Sequence, residues 1–169
     1  MTKGIPGTAI AAMLAIATPQ VAQHEGLRLE PYRDVIGVPT VCYGETRVEM
    51  RAYSKVECDA LLAKALRNDF GLRVASSAPG IWTQPYEWAA HTSLTFNIGL
   101  GAYRKSSVLR LYREGKPVEA CRFMRRYRFA GGRVIQGLVN RREGHGATIG
   151  EYELCLVGAI PRQIGGDRS

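Results

Sequence analysis

The chain has little that would hold a metal, a nucleotide or a nucleic acid. Its four cysteines, Cys42, Cys58, Cys121 and Cys155, lie far apart and match no metal-site spacing. His24 and His91 have no partner in the sequence that would make either a base or a ligand, so both read as structural. There is no zinc-finger spacing and no RRM-type aromatic motif. The glycine-rich run Phe129 to Leu138, FAGGRVIQGL, is too irregular for a phosphate loop and reads as a loop entering a helix. No metal and no cofactor is implied. Acidic residues are also scarce, 15 against 23 Lys and Arg, for a net charge of +8. Such a surplus favours a polyanionic partner. Charge alone does not separate nucleic acid from an anionic cell envelope, but the missing motifs make nucleic acid the poorer choice.

What is present is enough for one domain. At 169 residues and 46% apolar content, the chain can bury a sizeable core, in one or two lobes. Residues 4–23, GIPGTAIAAMLAIATPQVAQ, carry no charge and follow Lys3. Three readings compete for this run. It fits a cleaved signal peptide with a thin basic start, or an amphipathic helix with Ile10 and Leu14 turned to the core. It also fits a weak membrane anchor, since twenty uncharged residues just span a bilayer while the Ala, Gly and Thr content keeps its hold loose.

Further along, residues 47–53 read as a polar connector, and Ser54-x-x-Glu57 is a capping box. Cys58, Leu61, Leu62, Ala65, Leu66 and Phe70 then recur at helical spacing, as a core stripe without chemistry. Residues 76–86 form a loop in which Trp82 either lines a sugar cleft or packs. Helices are predicted over Tyr86 to Ile98, over Ser107 to Tyr112, and from Pro117 onward, with Gly99, Gly101 and Gly115 as breaks. Arg122, Arg125, Arg126 and Arg128 make the last of these one-sidedly basic, either a solvated face or a surface drawn to an anionic wall. Gly144 to Tyr152 reads as long and flexible, and Pro161 to Ser169 as a disordered tail.

Chemistry concentrates in Glu25 to Thr46, EGLRLEPYRDVIGVPTVCYGET. Thr18 as N-cap, Pro19 at the first helical position and Gly26 as a stop predict a short helix ending at Glu25. The negative pole of that helix disfavours a charged carboxyl at its end. From Arg28 to Tyr43, β-branched and aromatic residues broken by Pro31, Gly37 and Pro39 predict a small antiparallel sheet. Asp34 and Thr40 would flank its Ile36–Gly37 turn and face back toward Glu25. Glycoside hydrolysis uses such a set: one carboxyl that donates a proton, one that stays ionised, and a hydroxyl that positions water. The spacing alone also fits surface carboxylates and a strand threonine.

The sequence around these residues is more specific. EGLRLEPYRD followed by GVPTVCYGET resembles the catalytic segment of phage-type lysozymes, and the PTVCYG form resembles the endolysins whose N-terminus is a signal anchor later released. The resemblance runs on through YSKVECDALLAKAL, SLTFNIGLGAYRKSSVLRL, ACRFMRRYRFAGG and GLVNRRE, covering residues 23–158 in family order. It implies a mainly helical α+β, lysozyme-like two-lobed fold. Residues 1–22 would be the releasable segment and 23–169 the catalytic domain. Within it fall a β-containing lobe at 23–53, a connecting helix at 54–75 and a helical lobe at 76–160.

The same resemblance makes Glu25 the general acid, Asp34 the water-activating carboxylate and Thr40 the water-orienting hydroxyl. It turns Ser93 and Asn97 toward the saccharide and pairs Arg141, or else Arg142, with Glu25. It places Cys42 near Cys58 and Cys121 near Cys155, whereas the cysteines by themselves read equally as four buried thiols. Most of the family inverts the anomeric carbon, which corresponds to carboxyls roughly 6.5–9.5 Å apart. The implied activity is hydrolysis of the β-1,4 bond between N-acetylmuramic acid and N-acetylglucosamine. The implied partners are peptidoglycan strands and, transiently, the inner membrane, with the protein a monomer exported to the host periplasm. A lytic transglycosylase and a non-catalytic wall-binding or membrane-perturbing protein are the rivals. Glu45 stands where the family often has His, which leaves any local ion pair there open.

Overall fold

A computed structural model describes residues 4–166, with side chains to residue 161. The polypeptide begins with α1 (Gly7–Ala22), capped by the extended backbone of Pro6. This helix is much longer than the one expected from Thr18. Pro19 lies inside its last turn and Thr18 is an interior residue. The missing signal was tertiary: Met13, Ala17 and Val21, at i, i+4 and i+8, are completely buried against the rest of the molecule. The helix ends at Ala22, and it shares the core of the residues that follow.

A two-stranded antiparallel sheet comes next, β1 (Arg28–Arg33) paired with β2 (Pro39–Cys42). Its register sets Tyr32 opposite Thr40 and Arg33 opposite Pro39. The Ser54–Glu57 capping box opens α2 (Lys55–Ala65) as the sequence predicts. The connecting helix is not continuous, however. A π-helical turn (Leu66–Gly71) interrupts it before α3 (Leu72–Ser77). Gly71 explains where the turn sits. A β-carbon there would lie 2.9 Å from the Leu66 carbonyl and 2.6 Å from the mobile end of the Met13 side chain, so the turn's own backbone favours glycine. The buried Trp88 indole donates to the Gly71 carbonyl (2.9 Å), one of the backbone groups at this turn.

A short 3₁₀ turn (Ile81–Thr83) packs Trp82 on the core rather than leaving it free, and leads into α4 (Pro85–Ile98). This helix is the hub, packed against α1, the π turn and the last helix. Nine of its residues are buried, polar ones such as Glu87, His91 and Ser93 among them, so it is a core helix rather than an amphipathic surface one. The chain continues through α5 (Leu100–Arg104), α6 (Ser107–Arg113) and α7 (Pro117–Met124). The run Phe129 to Leu138 is not merely a loop. It forms a hairpin, β3 (Phe129–Ala130) with β4 (Arg133–Val134), before α8 (Gln136–Glu143). Gly131 and Gly132 both have positive φ, the requirement of a tight primed turn.

The stretch after α8 is not slack either. His145 and Thr148 form a β-bridge, and a β-carbon on Gly150 would lie 2.3 Å from the Arg142 carbonyl. The helix α9 (Glu151–Gly166) then extends through most of the expected disordered tail; residues 167–169 lie outside the described residues. Among the described residues no helix is long and apolar enough to cross a membrane.

Two disulfides, Cys42–Cys58 and Cys121–Cys155, tie β2 to α2 and α7 to α9. Loop-closure entropy for separations of 16 and 34 residues gives about 3 and about 4 kcal/mol of stabilisation. Because total stability of a domain is only about 5–15 kcal/mol, replacing both pairs by serine should lower the melting temperature by well over ten degrees. A melting curve unchanged by both replacements would contradict this.

Candidate active site

Glu25 follows α1 in a tight turn. The His24 and Glu25 amides donate to the Val21 and Ala22 carbonyls, at 2.9 and 3.3 Å. The carboxylate is partly exposed and forms an ion pair with Arg141 of α8, Nη1 to Oε1 at 2.7 Å, across 116 residues of sequence. Of the two arginines named from the sequence, Arg141 is therefore the one that meets Glu25. His24 lies beside it and receives the Gln23 amide (3.2 Å) on Nε2. Burial, with the Arg141 charge adding to it, pushes the His24 imidazole below its ordinary value, so the ring is neutral at neutral pH.

Asp34 stands directly after β1 at the hairpin mouth. Its Oδ1 accepts from the Ile36 and Val38 amides (3.0 and 2.9 Å), and Arg33 donates to the Gly37 carbonyl (2.8 Å). Both amide bonds fall on one oxygen, so the carboxylate organises its own turn. Thr40, on β2 opposite Tyr32, is almost completely buried and donates its hydroxyl hydrogen to the Val38 carbonyl (2.9 Å). Its lone pairs are what it offers a water.

Ser93 and Asn97, one helical turn apart on α4, diverge. Ser93 was expected to face the saccharide, but it is fully buried and donates to Glu151 Oε1 (2.6 Å). Asn97 is exposed, and its Oδ1 accepts from Arg142. Behind Glu25 lies the residue sequence reasoning missed. Glu151, at the first position of α9, is completely buried, and it accepts from Arg141 Nε (3.1 Å) and Arg142 Nη1 (2.5 Å) as well as from Ser93. Nothing in the run GATIGEYEL marks this glutamate apart from a helix N-terminus, where a carboxylate is favoured. Glu45, left open from the sequence, does form an ion pair, with Arg47 at 3.1 Å; Arg47 also reaches Asp69 at 2.9 Å.

A half-open concavity of ≈ 240 Å³ is lined by Glu45, Arg47, Leu61 and Asp69 among others. Glu25, Asp34 and Thr40 do not line it.

The geometry joins a carboxyl at a helix end to a guanidinium partner far along the chain, and the hairpin that follows carries a second carboxyl. A model of the phage lysozyme family matches residues 22–145 of this chain, a span that includes every one of these groups except Glu151. The chain belongs to the phage lysozyme family. It is 39% identical over 140 residues to the SAR-endolysin of Bacteriophage PS119, covering 79% of this chain and 77% of that one. To the SAR-endolysin of Enterobacteria phage P21 it is 37% identical over 139 residues, covering 79% and 78%. Its fold is similar to the active form of P1 phage endolysin Lyz, with a TM-score of 0.67 over 88% of this chain and 94% of that one, at 22% identity. As a member of the phage lysozyme family it is a lysozyme-type glycoside hydrolase with an endolysin's function in cell lysis.

Proposed function

We propose that this enzyme hydrolyses the β-1,4 bond between N-acetylmuramic acid and N-acetylglucosamine in peptidoglycan, with Glu25 as general acid and Asp34 as the carboxylate that activates water. The observation that carries the reading is the Glu25–Arg141 ion pair at the end of α1, immediately before the hairpin that bears Asp34. Glu25 protonates the leaving oxygen as the glycosidic bond breaks. Asp34 takes a proton from the attacking water, and the Thr40 lone pairs accept the water's other hydrogen. Asn97, exposed on α4, gives its amide hydrogens to a saccharide acyl oxygen. Ser93 contributes from behind, through Glu151. No step calls for a metal or a cofactor. The open basic concavity of Arg122, Arg125, Arg126 and Arg128 draws the enzyme to carboxylates of the wall peptides, an attraction that salt weakens.

The protein acts as a monomer in the periplasm. Before that, residues 4–23 hold it at the inner membrane, as the names of the SAR-endolysin relatives suggest. While this segment lies in lipid, Glu25 has no docked α1 to position it. Release lets α1 take the buried place described above and completes the site.

A lytic transglycosylase would break the same bond without water and leave an anhydro-sugar. It has no need of a second carboxylate. Mass spectrometry of digested sacculi is expected to show muropeptides with reducing ends, each carrying the mass of one added water. Anhydro-muropeptides as the main products would overturn the assignment of Asp34.

A further inference from the structure

We infer that Glu151 is a positioning residue for Glu25: from the first turn of α9 it grips Arg141 at Nε and Arg142 at Nη1, so that Arg141 presents only its outer edge to the proposed acid. The inference rests on the reading of Glu25 as general acid and extends it to a residue that touches no substrate.

The geometry is a relay of charge through three elements. Arg141 is a bridge whose Nε faces inward to Glu151 and whose Nη1 faces outward to Glu25, and its Nη2 reaches the Ser93 carbonyl (3.4 Å). Arg142 is held by Glu151, by the Tyr127 carbonyl (3.1 Å) and by Asn97. Side chains of Arg141, Arg142 and Glu151 are almost entirely out of water, so their charges act on one another with little screening. The charged groups around Glu25 are Arg141 directly, Arg142 and Glu151 behind it, and His24, kept neutral by burial, in its own turn; the proposed mechanism adds Asp34 across the hairpin mouth.

The formal charges decide the consequence. With Glu25 ionised, two guanidiniums and two carboxylates cancel; with Glu25 protonated, one positive charge remains. Neutralising Glu151 adds a further positive charge to both states, which opposes the protonated form that a general acid must have. Neutralising Arg142 does the reverse. A purely structural ion cluster would instead cost stability and reduce activity equally at every pH.

The test uses the full-length enzyme on murein sacculi, with pH–activity profiles for the wild type, Glu151→Gln, Glu151→Asp and Arg142→Gln. In Glu151→Gln the alkaline limb is expected about one pH unit lower, the size of effect a nearby charge exerts. In Arg142→Gln it should move upward, and in Glu151→Asp, which keeps the charge, it should stay in place while kcat falls. A wild-type limb in both Gln variants overturns the inference. If Glu151→Gln gives no cooperative melting transition, the upward shift in Arg142→Gln decides alone, and its absence overturns the inference. Glu25→Gln separates the two levels. If that variant is inactive and the limbs do not move, only the role of Glu151 fails; if that variant clears sacculi, the reading of the acid fails first.

Discussion

Glu25→Gln is expected to cut the clearing of murein sacculi by about a thousandfold while the protein still folds and binds. Removing a positioned general acid costs typically ~10²–10⁴ in rate, and an amide has the shape of the carboxyl without a proton to give. Folding should survive because Glu25 is not the main anchor of Arg141. That arginine keeps its bond to the buried Glu151 and its contact with the Ser93 carbonyl. Glu25 is also open to water at 28% of its side-chain surface, so its exchange for an amide strands no charge on its own side. Turbidity loss measured beside a thermal melt checks both halves. A folded variant that clears as fast as the wild type would rule out Glu25 as the acid.

How far the sequence showed this site depends on the range of the interactions involved. Glu25, Asp34 and Thr40 fall within sixteen residues, where turn formers and β-branched residues predict the hairpin that carries two of them. Arg141 was legible only through the family resemblance, since its partner lies 116 residues away. Glu151 was not legible at all. Its meaning comes from burial between two arginines and a serine on other helices, and a glutamate at a helix start is usually just a good first-turn residue. The same limit hid the π turn, which exists where Met13 meets Gly71 across the core. It hid the true extent of α1 as well, because Ala, Ile and Thr without a side-chain cap leave the start of a helix unmarked and only packing reveals it. The β3–β4 hairpin is different. Its Gly131–Gly132 pair is a recognised hairpin signal, and only the short strands on either side concealed it.

Placing leucine at Ala11 and Ala15 should hold the enzyme at the membrane and delay lysis without harming the soluble form. Both positions lie on the exposed face of α1, while Met13, Ala17 and Val21 fill the buried one. The docked state therefore gains little from the change and suffers no clash. In lipid every added methylene counts. Each Ala→Leu exchange favours the apolar phase by about 2 kcal/mol at ~0.8 kcal/mol per buried CH₂, so the pair shifts the partition by about a thousandfold. Met13, Ala17 and Val21 alone stabilise docking by about 4 kcal/mol, and Ile10, Leu14 and Ile16 add to it by packing on the same core, so the leucine pair acts against a docking term of comparable size. Docking also engages Gln20, which donates to the Ile149 carbonyl (3.3 Å) two residues before Glu151, so an undocked α1 loosens both ends of the Glu25–Arg141–Glu151 relay. Fractionation before and after membrane depolarisation, with each fraction assayed on sacculi, reads out the effect. The purified soluble double variant should match the wild type while the expressed protein stays with the membrane. Equal release and equal lysis timing would mean that residues 4–23 are not a reversible anchor, and that α1 folds onto the domain from the start.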